Sequence, residues 1–99
     1  MISIHAAKGS QNGNDHSAPS TPGTSYWSAY PENVQNTVDL AKWLADRYRY
    51  EPAFLGIGLL NEPCASTNDQ ILHQYYERAY DAIRSTGNDC VLTHAPLLY

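Results

Sequence analysis

The stretch that decides the fold is Ala53-Phe54-Leu55-Gly56-Ile57-Gly58-Leu59-Leu60-Asn61-Glu62-Pro63. Its first eight residues are continuously apolar, as expected of a strand buried on both faces in a parallel sheet. Asn61-Glu62-Pro63 ends it, because proline removes a ladder donor. The run is far below the ~18 apolar residues that suggest a membrane span. On its N-terminal side, Pro31 and Glu32 suit a helix start, and Val34, Val38, Ala41, Leu44, Ala45 and Tyr48 recur at the helical period. Pro52 should stop that helix before Tyr50 or Glu51. On its C-terminal side, Asn68 or Asp69 can cap a helix with the face Ile71, Leu72, Tyr75, Ala79, Ala82 and Ile83, and Gly87 fits just past its end. Met1 to His5 and Val91-Leu92-Thr93 read as outer strands. The order strand, helix, strand, helix, strand predicts an α/β chain of βαβ units with parallel strands.

Ninety-nine residues allow at most one small domain with a modest core. Ten acidic against six basic residues give a net charge of −4, which argues against nucleic acid or an anionic membrane as partner. Charged residues are only 16% while tyrosine occurs eight times, a surface suited to neutral polar ligands. Met1 to Ser10 lacks a basic segment followed by an apolar one, so it does not read as a signal peptide. Gly9 to Ser28 has loop composition, and a loop of that length in a compact domain points to function or disorder. Its hydrogen-bonding block Gly9 to His16 favours function. No metal or cofactor is expected, since His5, His16, His73 and His94 lack zinc-ligand spacing. Parallel strands would hold Cys64, after one strand, and Cys90, at the start of the next, well beyond the ~7 Å limit for a disulfide.

Glu62 falls at the C-terminal end of the most apolar strand, the edge where parallel α/β folds bind ligands. A carboxyl group enclosed by apolar strand residues is suited to act as a general acid. A carboxylate that is merely solvated at a strand end is the competing reading. Strand alternation puts Gly56, Gly58, Leu60 and Glu62 on one face.

The segment His5-Ala6-Ala7-Lys8-Gly9-Ser10-Gln11-Asn12-Gly13 resembles the His-Gly/Ala-Ala-Pro-Gly-Ser-Gln-Asn-Gly signature of glycoside hydrolase family 5, in its exo-β-1,3-glucanase branch. Asn14-Asp15-His16-Ser17 is similar to the plant-type form of that loop, and Gly56 to Pro63 resembles the family's Gly-Ile-Glu-Leu-Leu-Asn-Glu-Pro. The likeness implies a (β/α)8 TIM barrel and retaining hydrolysis of β-glucans, by enzymes that are typically extracellular. Carried over by residue, Glu62 is the general acid/base, Asn61 bonds the sugar 2-hydroxyl, and His5 shapes the sugar subsite. Asn12, Asp15 and His16 belong to the loop framing the pocket, although a loop role without sugar contact fits His16 equally. Trp27 is either a stacking platform or a packing anchor, and such a loop tryptophan is more often an anchor. His94, after the last strand, would face the cleft.

Two positions depart from the signature: Lys8 stands for proline, and Gly58 for a glutamate of the barrel interior. Retaining hydrolysis also needs a second carboxyl group ~5–5.5 Å from the first. The resemblance puts that nucleophile after the seventh strand, whereas residues 1–99 correspond to about strands 3 to 5 with two intervening helices. The expectation is therefore a partial barrel domain, truncated at both ends and inactive alone. A non-catalytic carbohydrate-binding or decoy protein is the alternative, and a self-sufficient small α/β protein is a third reading.

Overall fold

The computed structural model describes residues 1–98. Three strands, β1 (Ile2–Ser3), β2 (Gly56–Gly58) and β3 (Val91–Thr93), form one sheet in the order β1-β2-β3, and both pairings are parallel. Two helices connect them, α1 (Pro31–Arg47) and α2 (Asp69–Ser85), so the βαβαβ expectation holds. Among the described residues, no helix is long and apolar enough to cross a membrane.

Register explains which side of the sheet is covered. Ile2, Ile57 and Leu92 form one cross-strand row, and Ser3, Gly58 and Thr93 the next. Ile57 is fully buried in a cluster with Val34, Val38, Ala41 and Ala45 of α1 and Leu72, Tyr75, Ala79 and Ile83 of α2. Ser3 and Thr93 are exposed on the opposite face, with Gly58 between them. The middle strand is thus covered by helices on one face only. Gly56 has a steric reason to be glycine: a Cβ there would run into the Val91 carbonyl.

Both helices are terminated by local chemistry. Pro31 is the first residue of α1, with Glu32 in the first turn and Arg47 in the last, each at the favourable dipole end. The helix ends at Arg47, a little short of the stop expected before Tyr50 or Glu51. Tyr48 leaves helical geometry, its N–H bonding Leu44 O at 3.1 Å, and its ring stacks on Phe54 5.7 Å away. In α2 the Asn68 side chain accepts from Ile71 N at 3.0 Å, and Gly87 at φ 86° follows the helix end.

The apolar run forms a shorter strand than expected. Ala53 belongs to a turn, and the backbone ladder begins where Val91 N donates to Leu55 O. At the other end Ile4 N donates to Gly58 O, but Ile4 O accepts from Asn61 N, not Leu60 N. One extra residue is inserted there, as in a bulge. The expected alternation placing Leu60 and Glu62 on the face of Gly58 is therefore broken at Leu60.

Trp27 is an anchor. It is fully buried, its Nε1 donates to Thr37 Oγ1 at 3.0 Å, and its ring meets Tyr75 edge-on with centroids 5.2 Å apart. Cys64 and Cys90 are both free, in line with the parallel topology.

Candidate active site

The C-terminal end of β2 and the loop after β1 meet through polar contacts. Ser10 and Gly13 take positive φ angles of 63° and 76°, which turn the loop back over the strand ends. Gly13 also lies so close to Gly23 that a Cβ would come within 2.7 Å of its carbonyl carbon. Inside the turn, Ser10 Oγ bonds Ser17 Oγ and accepts from Gly13 N, while Asn12 Oδ1 accepts from Ser17 Oγ at 2.7 Å and Asn14 N at 2.9 Å. Farther along, Tyr26 N and Trp27 N donate to Gly9 O and Ser10 O. The loop is ordered by hydrogen bonds more than by apolar packing.

Gln11 joins this loop to both strand ends. It is fully buried, its Nε2 donates to His5 O and to Asn61 O at 2.7 Å each, and its Oε1 accepts from Ala7 N at 3.2 Å. Its carbonyl accepts from Cys64 N and Thr67 Oγ1. Every polar atom of the side chain is used, so the amide holds the exits of β1 and β2 in fixed relation. Gln11 is not among the candidates the sequence offers; its place in the middle of the loop's polar block is the only signal of its role.

Beside that clamp sits Glu62, at φ 45°. A non-glycine residue is strained in this region, and such strain concentrates at functional sites. Asn12 Nδ2 donates to Glu62 O at 3.0 Å, fixing the turned backbone. His16 Nε2 lies 3.5 Å from Glu62 Oε1, and Asn61 Nδ2 reaches the same oxygen at 3.5 Å. Asn12 Nδ2 also contacts His16 Nε2 at 3.2 Å. The Glu62 side chain remains 42% exposed, so these residues do not provide the apolar enclosure expected for it.

Asn12, His16, Asn61 and Glu62 therefore form one cluster. His5 is exposed and joins through its backbone, by the carbonyl that Gln11 binds. Asp15 is exposed at the start of a short 3-10 turn, Asp15–Ser17, and has no side-chain hydrogen bond among the described residues. His94 packs against Tyr76, ring centroids 5.0 Å apart, and borders a hollow with Leu59 and Leu92 rather than bonding into the cluster. A carboxylate open to solvent, flanked by an amide and an imidazole, can exchange a proton with a bound polar ligand.

Residues 1–95 match the cellulase family, glycosyl hydrolase family 5. The chain belongs to glycosyl hydrolase family 5. Among curated relatives, it is 38% identical over 101 residues to a glucan 1,3-beta-glucosidase of Blumeria graminis, covering 99% of this chain and 23% of that protein. It is 35% identical over 97 residues to the enzyme of the same name from Pichia angusta, covering 94% and 22% respectively. A probable glucan 1,3-beta-glucosidase A of Aspergillus clavatus is 36% identical, over 90% of this chain and 21% of its own length. This family 5 chain thus spans about a fifth of the length of these relatives.

Proposed function

We propose that this family 5 chain carries the acid/base half of a retaining β-1,3-glucosidase site. In this reading its strands are about the third to fifth of a (β/α)8 barrel, and the whole enzyme acts on β-glucan outside the cell. The observation that carries it is Glu62 itself, a carboxylate on strained backbone at the C-terminal edge of a parallel sheet, with Asn61 and His16 on one of its oxygens. The Glu62 carboxyl gives its proton to the glycosidic oxygen as the bond to the anomeric carbon breaks. The resulting carboxylate then takes a proton from the water that attacks the glycosyl intermediate.

Asn61 presents its amide to the sugar 2-hydroxyl, His5 and Asp15 line the sugar subsite, and Asn12 and His16 hold the carboxylate and the loop around it. The nucleophilic carboxylate comes from another segment of the enzyme. Among the described residues no second carboxylate is bonded into the Glu62 cluster, which also supports a binding role for the 99-residue chain alone.

The test is Glu62→Gln in the longer protein. Turnover of β-1,3-linked gluco-oligosaccharides should fall by roughly 10²–10⁴. Aryl glucosides whose leaving group needs no proton should lose far less in the glycosylation step. Turnover of oligosaccharide at the wild-type rate would exclude Glu62 as the acid.

A further inference from the structure

The outer surface carries a second feature suited to sugar. On α1, Trp43 lies about 180° around the helix from Val34, directly away from the core. Its side chain is 57% exposed, whereas Trp27 is fully buried. Helices flanking α1 in a barrel would pack on its sides and leave Trp43 facing outward. Trp43 borders an open hollow of about 480 Å³ lined by Asp39, Lys42, Asp46, Arg49, Ser85 and Thr86.

Three properties of this hollow select a ligand class. Its charges balance, two carboxylates against one ammonium and one guanidinium, which favours a neutral partner. Charged donors and acceptors share the hollow with a single aromatic side chain, as needed for a polyol with one apolar ring surface. The floor is preformed: Arg49 Nη1 donates to Thr86 O at 2.7 Å, and Asn88 Nδ2 donates to Ala45 O at 2.9 Å, tying the ends of both helices together. Asp46 also borders a second, separate hollow of about 330 Å³ that includes Tyr50. Tyr50 is 84% exposed, with the Arg49 guanidinium 4.6 Å from its ring centroid. Two exposed aromatic side chains, one in each of the hollows that Asp46 borders, suit an extended polymer better than a monosaccharide.

We propose that the surface from Trp43 past Asp46 to Tyr50 is a site for a β-glucan chain, separate from the Glu62 cluster. The choice of β-glucan among neutral polysaccharides rests on the proposed function above. The site lies where α2 ends and β3 begins, the edge of the sheet opposite Glu62. A glucan held there leaves the Glu62 edge open, so the site anchors the protein to insoluble substrate.

Native electrophoresis of the 99-residue chain through gels containing a soluble β-1,3-glucan or dextran tests this. The β-1,3-glucan should retard the wild type, and Trp43→Ala should weaken the interaction about tenfold. Adding laminarihexaose should shield Trp43 from acrylamide, with Trp27 as the buried reference, and Asp39→Asn with Asp46→Asn should reduce that shielding. Retardation of Trp43→Ala equal to wild type, equal retardation by dextran, or unshielded Trp43 would each overturn the surface site. Retardation lost in Glu62→Gln but kept in Trp43→Ala would overturn it while leaving the proposed function intact. Failure of the longer enzyme to hydrolyse β-glucan would remove the proposed function without altering the gel result.

Discussion

The loop from Ala6 to Ala29 and the helix α1 that follows it are both firmly held, but by different forces. Helix α1 is fixed by a stripe of Val34, Val38, Ala41 and Ala45 against the sheet and α2. The loop is fixed by amides and hydroxyls, with buried Ser10, Gln11, Asn12 and Ser17 bonded to one another or to backbone. Apolar packing is non-directional, so many side chains of similar volume would hold the helix. A buried polar network depends on each donor meeting its acceptor, and a lost partner leaves a costly orphan. The catalytic candidates sit where the directional kind of order prevails. Position is needed there more than bulk.

Deleting apolar volume should give the largest effect and should act on the whole fold. Leu72 is fully buried on the inner face of α2. Leu72→Ala should lower unfolding free energy by roughly 2–5 kcal/mol in urea titrations. Amide exchange should quicken throughout the sheet and both helices. A change confined to the loop would mean that the two regions share no common core.

The polar clamp should respond more locally. Gln11→Ala strips partners from His5 O, Asn61 O and Ala7 N, at roughly 1–3 kcal/mol for buried groups left unpaired. Amide exchange should rise first at Ala7, Asn61 and Cys64, with α1 little changed. In the longer enzyme, kcat should fall more than KM rises, because a loosened Glu62 is misplaced for proton transfer. Uniform loosening of both helices would make Gln11 an ordinary core residue and remove the contrast.

These differences also decide what could be read from the sequence. Both helices were legible because periodicity and end signals such as Pro31, Asn68 and Gly87 are local. The parallel order followed from the alternation of elements. The end of α1 was misplaced because the Tyr48–Phe54 stack is a tertiary contact that no dipeptide signals. The parity argument for Glu62 assumed a regular ladder, and the extra residue at Leu60 that interrupts it shows only in the pairing with Ile4. Glu62 was picked out by its place at the strand end, Asn12, His16 and the role of Asn61 by resemblance, and the fold brings the four together. Gln11 was overlooked because its role depends on two carbonyls, at positions 5 and 61, whose proximity exists only after the sheet forms.

The two cysteines provide the mildest way to probe the contrast, since neither need be mutated. Both are buried to a similar degree, so solvent access alone would make them react alike. Burial pushes both thiols up. At Cys64, beside the polar loop, hydrogen bonds with Ser66 and Thr67 outweigh burial, and the thiol titrates below its ordinary value. Cys90, between α2 and β3, is pushed above it despite the nearby Arg84. The thiolate is the nucleophile, so a lower value means a larger reactive fraction at a given pH. Cys64 should therefore be alkylated at lower pH than Cys90, and mass spectrometry of a pH series with iodoacetamide reads the order directly. In the Gln11→Ala protein, the loop that supports Cys64 N is loosened, and the onset for Cys64 should move towards that of Cys90. If Cys90 reacts first in the wild type, then hydrogen bonding at the strand end does not set the chemistry of that edge, and access does.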